Sequence, residues 1–230
     1  MKITRHTPTL VRLTRLGFVN AYLVPEDDGL TLVDTMVSGS AGQIMKAAKG
    51  LGAPIVRIVL THAHSDHAGS LDALAEKLPD AEILIPARDA RILAGDKTLD
   101  PGEPSSKLRG GYPKKLKTRP SRTLAPGDTV GSLQVLAAPG HTPGQIALLD
   151  ARDRTLIAAD AYSTLGGVAT SARANPRFPL PAMATWDRPT ALRTAEALRA
   201  LDPARLAVGH GDVVESPVPA MDAAIARARG

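Results

Sequence analysis

The chain has 230 residues, 43% of them hydrophobic and only 3% aromatic, so it is long enough to bury a sizeable core made of Leu, Val, Ile and Ala. It has no cysteine, which excludes disulfides and thiolate ligands and leaves imidazole and carboxylate for any metal chemistry. The formal net charge is +5, but Lys107, Arg109, Lys114, Lys115, Lys117, Arg119 and Arg122 fall together with no acid between Glu103 and Asp128, so the remainder is slightly acidic.

Residues 1–6 lack the apolar core of a signal peptide, and no apolar run approaches the roughly 20 residues of a membrane span. A cytoplasmic protein with no membrane partner is expected. Short apolar runs predict strands at Thr9–Thr14, Phe18–Val24 and Leu30–Asp34, the last two joined by a turn at Glu26-Asp27-Asp28-Gly29. A helix near Ser40–Lys49 would bury Ile44, Met45 and Ala48, and a strand follows at Val56–Leu60. Leu71, Leu74, Ala75 and Leu78 recur at helical spacing and stop at Pro79. Further strands are expected at Glu82–Ile85, Leu133–Ala138, Ile146–Leu149, Thr155–Ala159 and Arg205–Val208, with a turn at Asp150-Ala151-Arg152-Asp153. Asp187 reads as the cap of a helix that has Pro189 in its first turn and buries Leu192, Ala195, Leu198 and Leu201; a last helix starts near Pro219. The stretches Gly95–Pro120 and Ser163–Arg188 are long, rich in Pro and Gly, and of the kind that carries function. No linker, low-complexity tract or repeat interrupts the pattern, so a single domain over 1–230 is expected.

Chemistry concentrates in Thr61-His62-Ala63-His64-Ser65-Asp66-His67. In an extended loop His62 and His64, two apart, project to the same side, while Asp66 and His67 follow at a bend and can face a second ion. The spacing suits two adjacent metals better than one; a loop of surface histidines would say nothing about the rest of the chain. The rest of the chain does conform. Apolar runs end in Asp34, in Thr61-His62, in Pro139-Gly140-His141, in Asp160 and in His210, and the carboxyl edge of a sheet flanked by helices is where sites are built.

Thr61–Gly69, His141 in Pro-Gly-His-Thr-Pro-Gly, Asp160 in Ala-Ala-Asp-Ala and His210 in Gly-His-Gly together resemble the metallo-β-lactamase superfamily in order and spacing. The resemblance implies an α/β (α+β) fold, the four-layered αββα sandwich, and two Zn2+ per chain, with Fe or Mn as other possible metals. By the same resemblance His62, His64 and His141 hold the first metal, Asp66, His67 and His210 the second, and Asp160 bridges. Asp34 matches an aspartate that supports the histidine loop from behind rather than ligating. His6 matches nothing and reads as a surface residue.

Two cations sharing a water lower its pKa and present hydroxide to a substrate, so no Ser or Cys nucleophile is required. Asp66 would be the catalytic acid that orients the nucleophile and relays its proton. A metal-dependent hydrolase of a small-molecule ester, lactone or thioester is therefore expected, and not a β-lactamase, since the Cys-ligand type is excluded and other types lack an aspartate at the position of Asp160. The basic segment reads either as a solvated loop whose charge aids solubility or as a means to attract an anionic substrate, which keeps a phosphodiesterase or nuclease as a second reading, although nucleic acid itself is not expected with Tyr112 as the segment's one aromatic. A mononuclear iron persulfide dioxygenase and a non-catalytic metal-stabilised binding protein are also compatible with the resemblance. Tyr162, Phe178, Met183 and Trp186 are candidates for the substrate pocket wall.

Overall fold

The computed structural model describes residues 1–114 and 116–230; Lys115, part of the basic segment, lies outside the described residues. Two compact units form, Met1–Ala94 with Gly111–Leu124, and Gly95–Gly110 with Ala125–Gly230.

The first unit is built on seven strands that neighbour one another in chain order: β1 (Lys2–Thr7), β2 (Leu10–Arg15), β3 (Val19–Glu26), β4 (Gly29–Val33), β5 (Ile55–Val59), β6 (Glu82–Pro86) and β7 (Arg122–Leu124). The first four pair antiparallel, with Glu26 opposite Gly29 at the expected turn, and β4 to β7 run parallel. β4 is buried along its whole length, the polar Thr31 included, which is why it carries no charged residue on either face. Because β4 and β5 are parallel, their carboxyl ends share one edge, and Asp34 and Thr61-His62 emerge there together.

Among its described residues this unit has four helices: α1 (Ala41–Leu51), α2 (Ser65–Ala68), α3 (Leu71–Lys77) and α4 (Ala87–Leu93). α1 buries Ala41, Ile44, Ala47 and Ala48, with Met45 half-buried at the margin of the stripe. α3 ends at Lys77 with Leu78 as its C-cap, directly before Pro79. β1 had no strand signal because it is a sheet-edge strand whose Ile3 is exposed, and α4 went unread because its seven residues are too few to establish a helical period. His6, expected on the surface, is half-buried within β1.

The second unit has a six-stranded sheet in the order β15-β14-β11-β10-β9-β8, where β8 is Thr129–Val130, β9 Leu133–Ala137, β10 Ile146–Asp150, β11 Thr155–Ile157, β14 Arg205–Ala207 and β15 Val214–Glu215. A small pair, β12 (Tyr162–Ser163) and β13 (Ala169–Thr170), lies apart from it, and the helices are α5 (Leu180–Ala184), α6 (Arg188–Ala200) and α7 (Val218–Arg229). Thus Ser163–Arg188 is not structureless but carries β13 and α5. β10 is antiparallel to both β9 and β11, and β11 is parallel to β14. It follows that β9, β11 and β14 point the same way and deliver His141, Asp160 and His210 at one edge.

Ala195 and Leu198 of α6 and Met221, Ala224 and Ile225 of α7 pack with Leu156, Leu206 and Val208 in the core of this unit, while Leu192 and Leu201 cover its margin. Each fully buried Leu side chain there contributes about 1.5–3 kcal/mol. Asp187 caps α6 as its sequence position implied, accepting from Thr190 N at 2.9 Å, and Pro189 occupies the first turn. Asp187→Ala should cost about 1 kcal/mol, seen as a lower urea midpoint at unchanged m-value. An unchanged midpoint would show that the cap is energetically idle. Among the described residues no helix is long and apolar enough to cross a membrane.

Candidate metal centre

In the first unit the chain leaves β4 through Asp34 at φ 63°, a left-handed conformation that Asp tolerates better than most residues. Its carboxylate is buried and takes three donors. Oδ1 accepts from Thr61 N at 2.8 Å, and Oδ2 accepts from Thr61 Oγ1 at 2.8 Å and from His67 Nδ1 at 2.7 Å. A carboxylate can only accept, so the His67 proton resides on Nδ1 and the lone pair on Nε2. Thr61 spends its hydroxyl proton on Asp34, so at 3.1 Å it accepts from His62 Nδ1, and His62 too presents Nε2.

The histidine loop is braced from other directions. Ala63 N donates to Asp89 Oδ2 at 2.7 Å, Thr35 N and Oγ1 both donate to His67 O, and Ser65 N donates to Gly111 O at 2.8 Å. Asp89 is wholly buried at the start of α4. The Tyr112 ring lies 4.9 Å from that of His64 at a tilt of 59°, and burial followed by the charge of Asp89 pushes its phenol pKa well up. Further along, Lys117 N, Thr118 N and Thr118 Oγ1 all donate to the Asp72 carboxylate. Desolvation raises the Asp72 pKa, but the hydrogen bonds from Thr118 and Lys117 outweigh it and hold the carboxyl below its ordinary value.

Within this unit the ligand atoms of His62 and His64, of His62 and His67, and of Asp66 and His67 each lie within 4.8 Å of one another. His62, His64 and His67 are buried, whereas the Asp66 side chain is 35% exposed. Asp66 lines a cavity of about 460 Å³ with Ser65, Val37, Gly111, Pro113 and Leu116.

The second unit holds the remaining candidates. His210 Nε2 lies 3.1 Å and His141 Nε2 3.4 Å from Asp160 Oδ2, all three residues buried. Asp160 sits in the 3-10 turn Ala159–Ala161, entered through Ala159 at φ 47°. His141 is oriented as His62 is: Thr185 Oγ1 donates to Pro181 O at 2.8 Å and so accepts from His141 Nδ1 at 3.1 Å, again leaving Nε2 for a ligand. The turn before His141 needs glycine, since Gly140 has φ 128° and a Cβ there would fall 2.3 Å from Ala191 N of α6. Trp186 N donates to His141 O at 3.0 Å, and Asp187 N to Gly140 O at 2.9 Å.

The pocket candidates divide. Phe178 packs against the His210 ring, with centroids 5.4 Å apart, and Trp186 is buried with its indole N–H donating to Ser106 O at 2.8 Å. Met183 is exposed. Tyr162 is fully buried in the core under α6, its hydroxyl donates to Ala195 O at 2.7 Å, and burial pushes its pKa up. Its place two residues after Asp160 starts β12, and there the side chain turns inward. Asp89, Thr185 and Tyr112 are the supporting residues that sequence reasoning missed. None lies in a motif, and only Tyr112, as the lone aromatic of its segment, stood out at all.

The donor set fits a metal. Buried imidazoles with Nδ1–H committed and Nε2 presented, beside carboxylates, are the ligands divalent zinc or iron takes.

Comparison with known proteins agrees. The family model for the metallo-beta-lactamase superfamily matches residues 14–210. The uncharacterised protein YobT of Bacillus subtilis is 44% identical over 232 residues, spanning 100% of this chain and 99% of its own length. The probable metallo-hydrolase YflN of the same organism is 31% identical over 220 residues, 87% of this chain and 81% of the relative. A hydroxyacylglutathione hydrolase of Xanthomonas euvesicatoria is 29% identical over 63% of this chain but only 46% of its own length. Among solved structures, TTHA1623 in a di-iron-bound form has a TM-score of 0.66 at 25% identity, covering 92% of this chain and 96% of that one. The DIM-1 metallo-beta-lactamase has a TM-score of 0.72 at 16% identity, covering 99% and 96%.

Proposed function

From the premise that this chain belongs to the metallo-β-lactamase superfamily and has its α/β fold, we propose that it is a dinuclear metal-dependent hydrolase of a small ester, lactone or thioester. The residues that would hold the cations are His62, His64, Asp66 and His67 in the first unit and His141, Asp160 and His210 in the second. The observation that carries this is the setting of the rings: His62, His67 and His141 each commit Nδ1 to a hydrogen bond and keep Nε2 for a ligand. When bound, the cations supply an activated water and electrophilic stabilisation of developing negative charge.

The chain's own part is positioning and proton handling. Asp66 is the most accessible of the carboxylates at the site and borders a cavity, so it is the group that can reach both a nucleophilic water and a departing oxygen or sulfur. Asp34 acts through His67 and Thr61, and Thr185 through His141. The ester or thioester reading draws on the relative named as a hydroxyacylglutathione hydrolase, and the metallo-hydrolase reading on YflN. Zinc is the proposed metal; iron is the second reading, supported by TTHA1623 having been solved with two irons.

A panel of activated esters, lactones and thioesters, assayed with the metal content measured before and after chelation, tests this. Hydrolysis of at least one class, lost on chelation and restored by zinc or iron at about two ions per chain, is the expected result. Activity indifferent to the chelator would end the proposal.

A further inference from the structure

A second cavity, of about 580 Å³, lies in the second unit between the segment 166–177 and α7. Its walls combine two chemistries. Val168, Ala174, Pro176 and Ala224 give it an apolar lining, while Arg173, Arg177 and Arg227 stand around it. Two of these guanidinium groups are fixed by backbone carbonyls: Arg227 Nη2 donates to Val168 O at 2.6 Å, and Arg173 Nη1 donates to Arg227 O. Arg177 is held by its stem, which packs so closely on Gly166 that a Cβ there would fall 2.5 Å from Arg177 Cβ.

None of the three meets a carboxylate among the described residues. This contrasts with Arg199 and Arg205 of the same unit, which are paired with Asp222 and with Glu215 and Asp153. A guanidinium has five N–H donors, and one carbonyl bond leaves the planar fork largely unspent. All three side chains are exposed, so solvent screens their mutual repulsion, and their grouping around one cavity is what favours an anion there.

We propose that this cavity binds a small amphipathic organic anion, its carboxylate or phosphate on Arg173, Arg177 and Arg227 and its apolar part on Val168, Pro176 and Ala224. The segment that lines it is tied to the candidate metal ligands on both sides. Thr164 N donates to His210 O at 2.9 Å, Thr164 Oγ1 donates to Asp212 O at 2.6 Å, and Phe178 packs on the His210 ring. A ligand that stiffens 166–177 therefore acts on the backbone and ring that hold His210. The proposal does not depend on the reaction assigned to the chain.

Isothermal titration of the full chain with octyl phosphate, octanoate and inorganic phosphate tests it. Saturable 1:1 binding of octyl phosphate or octanoate is expected, and the tighter of the two identifies the headgroup. The double variant Arg173→Gln, Arg227→Gln should weaken that binding at least tenfold. Arg177→Gln, which removes no side-chain hydrogen bond, should do so by a similar factor and guards against a folding defect in the double variant. Arg119→Gln in the other unit should leave binding unchanged. Binding of none of the three probes, equal weakening by Arg119→Gln, or inorganic phosphate binding as tightly as octyl phosphate would each overturn the proposal.

Discussion

Asp34→Asn should weaken metal binding about 10–100-fold while leaving the protein folded. Asn tolerates the left-handed backbone at this position, so the substitution adds no strain. The loss comes from counting donors. The carboxylate accepts from Thr61 N, Thr61 Oγ1 and His67 Nδ1, and an amide group has one oxygen for those three. With its nitrogen towards Thr61 N, donor faces donor in a buried place. With its nitrogen towards His67, the imidazole must accept at Nδ1 and carry its proton on Nε2, the atom needed for a ligand. Asp34→Ala removes both oxygens that serve the three donors and adds about 1 kcal/mol of backbone strain, so it should also lower stability. Competition with a chromophoric chelator measures the affinity, and urea unfolding with and without metal separates the two effects. An Asn variant with wild-type metal affinity would mean that Asp34 only braces the loop.

Asp66→Ala should lower turnover about 10²–10⁴-fold, the range expected when a positioned acid–base group is removed. It would also weaken retention of one of the two proposed ions, so kinetics must be paired with metal analysis. Asp66→Asn, which keeps the shape and an oxygen ligand, separates the roles. If proton handling dominates, the Asn variant should be nearly as slow as the Ala variant at full metal occupancy and should lose the acid limb of its pH–rate profile. Full activity in either variant would remove Asp66 from the reaction.

Much of the first unit's topology is written locally. β4 and β5 are mostly apolar runs, broken only by Thr31 and by Arg57, and they lead directly to Asp34 and to Thr61-His62, so both strand and edge are visible in the sequence. His141, Asp160 and His210 follow β9, β11 and β14 in the same way. What escaped reading depends on distance along the chain. Asp89 supports Ala63 from 26 residues away, and Thr185 orients His141 from 44 residues away, and neither has a local pattern to betray it. The inward turn of Tyr162 is likewise invisible locally: the 3-10 turn ends at Ala161, and the entry into β12 sends the next side chain into the core. The basic segment reads as a free patch of charge, yet Arg122 pairs with Glu82 and the backbone at Lys117 and Thr118 is pinned on Asp72.

The two threonines that orient histidines have a consequence for how an ion is gained and lost. Thr61 and Thr185 each point their single proton at a stronger acceptor, Asp34 and the Pro181 carbonyl, and each receives a ring proton in return. These bonds are closed before any ion arrives, and each runs within one unit. The entropy of fixing His62, His67 and His141 is thus already spent in folding, and an incoming cation need not spend it again. An ion that leaves should find the rings still waiting on its return, so exchange of one metal for another is limited by access and availability rather than by refolding.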